Sequence, residues 1–323
     1  MNHYSWLQQK LHQFALSTKF MRETAFDYES FFISPSQSID NHVFIAGLAR
    51  SGTTILLNAL YHSNEFASLS YKDMPFVLAP NLWSKWSNDK KIIHYVERAH
   101  KDGIEISIES PEAFEEVFWK TFDEKDIETE EKFKTYIQLI NNRYQKRRYL
   151  SKNNQNIRRI NVISKIFPNS KILIPFRDPM QHAYSLLVQH KKFIEYSKDD
   201  KFISNYMSWI GHTEFGPNYI PIINTNTNFK NPLSINHWVE QWYLTYKNCF
   251  DNFKDQKNIH FICYETLCKS EKCWPKILKK LDIPETYFFE FKHSTKQTST
   301  NINNELNSDA NSLYDRLIEV TLK

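Results

Sequence analysis

The chain has 323 residues, enough to bury a sizeable core in one large domain. Hydrophobic residues make up 41% and charged residues 24%, ordinary globular usage that excludes a disordered, collagenous or coiled-coil protein. Lys+Arg exceeds Asp+Glu by 41 − 37 = +4, too thin an excess for a nucleic-acid partner, although a local anion site stays open.

Four cysteines are too few for a disulfide scaffold, and Cys263, Cys268 and Cys273 lie five apart with no Cys-x-x-Cys pair, so no metal site is expected. No stretch approaches the roughly 18 apolar residues of a transmembrane segment. The N-terminus lacks the apolar core of a signal peptide, and a cytoplasmic location follows by default. Leu7, Leu11 and Phe14 recur at helical spacing and predict an amphipathic helix docked on the domain. Contact of that helix with a membrane surface is the second reading.

The first strong strand is His42–Ala46, followed by Gly47-Leu-Ala-Arg-Ser-Gly-Thr-Thr54 and a helical Ile55–Tyr61. A strand is expected at Phe66–Ser70, helical material from Met74 toward Trp86, a strand at Gly103–Ile108 and a helix at Pro111–Phe122. Glu128–Arg147 reads as a polar helix, Arg148–Ser151 as a strand, and Asn154–Phe167 as a helix with an Asn cap. Lys171–Phe176 is a fully apolar strand, and Asp178-Pro179 then opens a helix running to about Ile194. Residues 211–236 form a loop-rich insertion. A helix from about Ser234 to Asp251, a strand Ile259–Cys263 and a last helix Leu306–Leu322 complete the chain. The alternation predicts an α/β fold with a doubly wound, mostly parallel sheet. It reads as one domain: an N-terminal helical segment (1–40), an α/β core with helical insertions (41–267) and a C-terminal helical segment (268–323).

The loop Gly47–Thr54 keeps the Gly-x4-Gly of a nucleoside triphosphatase loop but has Thr53 where the phosphate-reaching lysine belongs. Positive charge sits inside the loop instead, at Arg50. Gly52 lets backbone approach an anion closely, and Ser51, Thr53 and Thr54 add hydroxyl donors beside the amides of the helix start.

This octapeptide resembles the 5′-phosphosulfate loop of the sulfotransferases that use 3′-phosphoadenosine 5′-phosphosulfate (PAPS), commonly Pro-Arg-Ser-Gly-Thr-Thr, with Ala49 replacing the proline. In that family an arginine ending a central strand and a serine eight residues later grip the 3′-phosphate. Arg177 follows Lys171–Phe176, and Ser185 lies eight residues on. Tyr264-Glu265-Thr-Leu267 is similar to the family's Tyr-Glu-Asp-Leu segment, whose tyrosine contacts the nucleotide. The C-terminal glycine-rich segment and Lys-Thr-His of the cytosolic small-molecule branch are missing. The chain therefore looks closer to the tyrosylprotein and bacterial carbohydrate or lipid sulfotransferases. The tyrosylprotein branch adds an arginine four residues after the serine; Gln189 stands there, with Lys191, Lys192 or Lys296 as compensating cations.

The resemblance implies sulfuryl transfer from PAPS to a hydroxyl or amine, without a metal. The acceptor would be a small molecule, glycan or lipid, with carbohydrate or lipid favoured. Such chemistry needs charge neutralisation, in-line placement and a base. Arg50 suits the first task. Lys152, at the carboxyl end of its strand where open α/β sheets place ligands, is a second cation or else a surface lysine. Asp73, where the tyrosylprotein branch carries a glutamate, is the candidate base or else the cap of a helix starting at Pro75. His100, Glu109, Glu112, His182 and His190 compete for the role. The Trp238, Trp242, Tyr246 stripe reads as core, and Lys146–Arg148 as a solvated basic face. A P-loop kinase using ATP is the rival enzyme, and a non-catalytic nucleotide- or anion-binding protein the rival outside enzymes. A homo-oligomer is compatible with either.

Overall fold

The structure, a computed structural model, describes residues 5–33, 41–87, 96–97, 105–107, 109–199, 201–291 and 302–322. The helices α1 (Trp6–Leu16) and α2 (Lys19–Ser30) come first, then β1 (Val43–Ile45), α3 (Thr53–Tyr61), β2 (Phe66–Ala67) and α4 (Pro80–Trp86). Next are β3 (Val96–Glu97), β4 (Glu105–Ile106), α5 (Glu116–Thr121), α6 (Thr129–Tyr144), β5 (Arg148–Lys152) and α7 (Ile160–Ile166). The chain continues with β6 (Lys171–Phe176), α8 (Pro179–Asp199), α9 (Lys201–Trp209), α10 (Ile235–Phe253) and β7 (Ile259–Cys263). It ends with α11 (Tyr264–Lys269), α12 (Cys273–Lys280) and α13 (Asn304–Glu319).

Five strands pair in parallel in the order β2-β5-β1-β6-β7, the doubly wound sheet that the α/β rhythm predicts. Alternating side chains feed two cores, as the two-residue period of a strand requires. Val43, Ile45, Leu150, Leu173 and Ile262 pack with residues of α3 and α12 on one face. Phe44, Tyr149, Ile172, Ile174 and Phe261 pack with α6, α10 and α13 on the other. Trp238, Trp242 and Tyr246 are buried in this second core, as their spacing suggests. The sheet winds both ways from β1, so the carboxyl end of β1 opens on the crevice where such sheets bind ligands.

Several boundaries differ from the sequence expectation. Pro75 starts no helix: Tyr71–Asp73 is a single 3₁₀ turn, Met74–Pro75 is a cis peptide, and α4 begins at Pro80 with proline in its first turn. Pro111 likewise starts no helix. It bridges Ser70 antiparallel, and α5 begins at Glu116. The helix foreseen from Asn154 splits into a 3₁₀ helix (Asn154–Arg158), capped by Asn153, and then α7. The helix α8 runs to Asp199, beyond Ile194. The N-terminal helix also docks differently. Leu7 and Phe14 are exposed, and His12, Ala15 and Leu16 form the buried face. Among the described residues, no helix is long and apolar enough to cross a membrane.

Candidate active site

The loop between β1 and α3 has two residues in the left-handed region, Arg50 at φ 72° and Gly52 at φ 95°. Gly52 is needed twice over, because a Cβ there would sit 2.8 Å from the Tyr264 ring. At Gly47 a Cβ would press on Pro175 O and Ser51 Oγ, each at 3.0 Å. The loop is thus threaded tightly between β6 and α11. Its hydroxyl at Ser51 donates to Leu48 O (2.8 Å), and Gly52 gives the first turn of α3 no side-chain cap. The amino end of α3 at Thr53 and Thr54 thus has no side-chain cap from Gly52, and a helix amino end favours an anion.

The β6–α8 junction brings the second set of groups. Arg177 follows the last residue of β6, and Asp178 caps α8 by accepting from the amides of Met180 (3.0 Å) and Gln181 (2.8 Å). Two turns into α8, Ser185 accepts a hydrogen bond from Arg50 Nε at 3.1 Å. The structure thus joins the two motifs, 135 residues apart in sequence, by a direct contact. Arg177 stacks on Tyr264, its guanidinium 5.0 Å from the ring centre, and its Nε lies 3.7 Å from Glu265 Oε1. Glu265 also accepts from the amide of Asp178 (3.2 Å) and the hydroxyl of Tyr314 (3.0 Å), which ties α13 to the site. Glu265 and Tyr314 orient Arg177. Only the Tyr-Glu pair gave any signal of this in the sequence.

His182 lies beneath the loop. Its Nε2 donates to Ala49 O at 2.7 Å, which leaves Nδ1 a buried acceptor without a partner. Burial, aided by the nearby Arg177 and Arg50, brings its pKa down to about 3. His190 also belongs to the frame, since its Nδ1 accepts from Gly216 N (3.2 Å) and its ring packs on Tyr219 and Trp238.

Buried neutral histidines make stability depend on pH in one direction. His42 and His260 are likewise held at about 4, chiefly by burial. Between these values and the unfolded value near 6.5 the unfolded chain binds the extra protons, so stability rises with pH through that window. Lowering the pH from 7 to 5 is expected to remove roughly 2 kcal/mol through His182 alone. A melting temperature unchanged over that range would contradict this.

Lys152 ends β5 opposite Ile45 of β1, two residues before Gly47, and is 9% exposed. Its ammonium lies 3.9 Å from Glu112 Oε1. Glu112 stands beside the extension of β2, where its amide bonds Leu69 O (3.0 Å) and its Oε2 accepts from Tyr71 OH (2.9 Å). Asp73 is more deeply enclosed, 1% exposed. Its Oδ2 accepts from Ser70 N (2.8 Å) and Tyr144 OH (2.5 Å), and its Oδ1 faces Arg143 Nε at 3.6 Å. Burial raises its pKa. Glu109 pairs with Lys72 at 2.6 Å. The candidates His100 and Lys296 lie outside the described residues, as does part of the strand expected at Gly103–Ile108. Among the described residues no group of three or more potential metal ligands occurs.

Residues 42–214 match the family model described as the sulfotransferase family, more than half of the chain. The chain belongs to the sulfotransferase family. A sulfotransferase from Mycobacterium avium is similar at 13% identity and a TM-score of 0.44, covering 98% of this chain and 79% of that one. One from Mycobacterium tuberculosis H37Rv gives 11% identity, a TM-score of 0.45 and coverage of 98% and 85%. One from Alicyclobacillus acidocaldarius gives 15%, 0.40 and coverage of 87% and 93%. Among the curated proteins none matches. The match spans the sulfotransferase loop, both halves of the Arg50–Ser185 contact, Lys152 and Arg177, while Tyr264 and Glu265 lie beyond it.

Proposed function

We propose that this sulfotransferase takes its sulfuryl group from PAPS and passes it to a hydroxyl or amine of a small-molecule, glycan or lipid acceptor. The observation that supports the donor assignment is the Arg50–Ser185 hydrogen bond at 3.1 Å, together with Tyr264, which lies against Gly52 and under the Arg177 guanidinium. The site fits a doubly phosphorylated nucleotide. The glycine-spaced loop with Ser51, Gly52, Thr53 and Thr54 would hold the 5′ end, Arg177 and Ser185 the 3′-phosphate, and Tyr264 a face of the nucleotide. When bound, PAPS supplies an activated sulfuryl group on a good leaving phosphate.

The chain's own residues then have distinct tasks. Arg50 and the loop amides hold negative charge, and Lys152 balances charge at the transferring group, as preorganised donors do in dry sites. For the proton of the acceptor, the geometry supports Glu112 over Asp73. Both carboxylates are hydrogen-bonded, Glu112 by Ala113 N and Tyr71 OH, but Glu112 lies 3.9 Å from Lys152 with its side chain 15% exposed, whereas Asp73 is 1% exposed among Ser70, Tyr144 and Arg143.

The test of the donor assignment is binding. PAP, the product nucleotide, at about 100 times its Kd is expected to add roughly 2.7 kcal/mol of stability, with ATP adding far less because it brings no 3′-phosphate. Arg177→Ala is expected to weaken PAP about 10–100-fold, as for a lost charge-assisted contact. Equal stabilisation by ATP and PAP would contradict the assignment.

A further inference from the structure

Directly after Lys152 come four consecutive side-chain amides, Asn153-Asn154-Gln155-Asn156. Such a run usually marks an exposed loop. Here the four residues are 2%, 5%, 5% and 0% exposed. Each amide nitrogen is tied to a different residue. Asn153 Nδ2 donates to Glu116 Oε2 (2.7 Å) and Asn154 Nδ2 to Glu214 Oε1 (3.2 Å). Gln155 Nε2 donates to Thr213 Oγ1 (3.4 Å) and Asn156 Nδ2 to Ser151 Oγ (3.2 Å). The backbone amide of Asn153 also reaches Ile45 O of β1 at 3.4 Å, and its Oδ1 caps the 3₁₀ turn through Gln155 N (3.0 Å).

Glu116 is itself immobilised. Arg159 holds it with two bonds of 2.7 and 2.9 Å, and the Arg159 guanidinium stacks 4.9 Å from the Trp119 ring. Gly211, at φ 77°, lies so close that a Cβ would stand 2.5 Å from Glu116 Cγ. The preceding residue, Glu115, is wholly buried and accepts from Tyr149 OH (3.0 Å), Ser151 OH (2.5 Å) and Trp119 Nε1 (3.1 Å). Two adjacent carboxylates thus grip Tyr149 and Ser151 of β5 and Asn153, the residue after the strand. Hydrogen bonds from buried side chains to two fixed carboxylates restrict the arrangement of the backbone they hold.

We propose that Glu116 is a positioning residue that fixes Lys152 against the anion loop through its hydrogen bond from Asn153. The proposal rests on the part assigned to Lys152 in sulfuryl transfer. A flexible lysine stabilises developing charge only if its strand end is held to within a fraction of an ångström, and the residue after Lys152 is where the hold is applied.

A charge-neutral swap tests this. Asn153→Asp keeps the cap on Gln155 N but sets two carboxylates together. Glu116→Gln keeps an acceptor but loses the charge facing Arg159. Each single variant is expected to speed amide hydrogen exchange over residues 151–157. Each should also slow the hydrolysis of PAPS to PAP and sulfate, with water as the sulfuryl acceptor, by about 10-fold or more, with the Kd of PAP within about 2-fold of the parent. Combining the two restores an amide–carboxylate bond with donor and acceptor exchanged, and both readouts should recover. If Asn153→Asp does not fold, Asn153→Ser retains a capping oxygen, removes the bond to Glu116 and should show the same split. Unchanged exchange over 151–157 in the single variants, or no recovery in the double variant, would overturn the proposal. A parent protein that does not bind PAP would overturn the donor reading instead, while the exchange measurement, which needs no ligand, would still decide the clamp.

Discussion

Lys152→Ala is expected to lower kcat by about 10²–10³-fold while changing the Kd of PAP by no more than a few-fold. The magnitude is that of one preorganised electrostatic donor removed from an active site. PAP lacks the sulfuryl group, so its affinity reports on the loop, Arg177 and Ser185, whereas turnover reports on the charge at the transferring group. Lys152 is suited to this split because it is nearly buried, ends the strand next to β1 and has Glu112 at 3.9 Å. Arg50→Ala should behave differently. Its guanidinium bonds Ser185 at 3.1 Å, so its loss is expected to weaken PAP binding as well as turnover. A Lys152→Ala enzyme with parental kcat would leave Lys152 only its pairing with Glu112 at the strand end.

The second large effect separates two carboxylates. Glu112→Gln is expected to cost about 10²–10⁴-fold in kcat, the usual contribution of a general base, and to flatten the acid limb of the kcat profile. Asp73→Asn is expected to leave kcat within about 3-fold and to lower the melting temperature instead. Asparagine can still accept from Ser70 N and Tyr144, but Arg143 loses its counter-charge, at a cost of about 1–3 kcal/mol. The reverse outcome, a crippled Asp73→Asn with normal stability beside an active Glu112→Gln, would exchange the two roles.

The sheet was legible because its strands are short apolar runs flanked by helix starts: Lys171–Phe176 and Ile259–Cys263 have the expected bounds. The anion loop was legible for a similar local reason, since Gly52, Arg50 and the threonines need only the strand before them and the helix after them. Other features depend on partners far along the chain. Pro75 and Pro111 both look like helix starts, yet the first follows a 3₁₀ turn that Asp73 and Ser70 hold together, and the second pairs with Ser70. Leu7 and Phe14 keep a helical period, but α1 turns His12, Ala15 and Leu16 inward. Glu112 was one acid among several until the Leu69 contact placed it beside Lys152. The four buried amides after Lys152 gave no warning, because their composition is that of an ordinary loop.

The most direct measurement is a crystal structure with PAP. The account predicts the 5′-phosphate on the loop amides of residues 50–54 and the 3′-phosphate within hydrogen-bond distance of Ser185 Oγ and the Arg177 guanidinium, with Tyr264 against the nucleotide. PAP bound elsewhere on the molecule, or with its 3′-phosphate touching neither Arg177 nor Ser185, would contradict it.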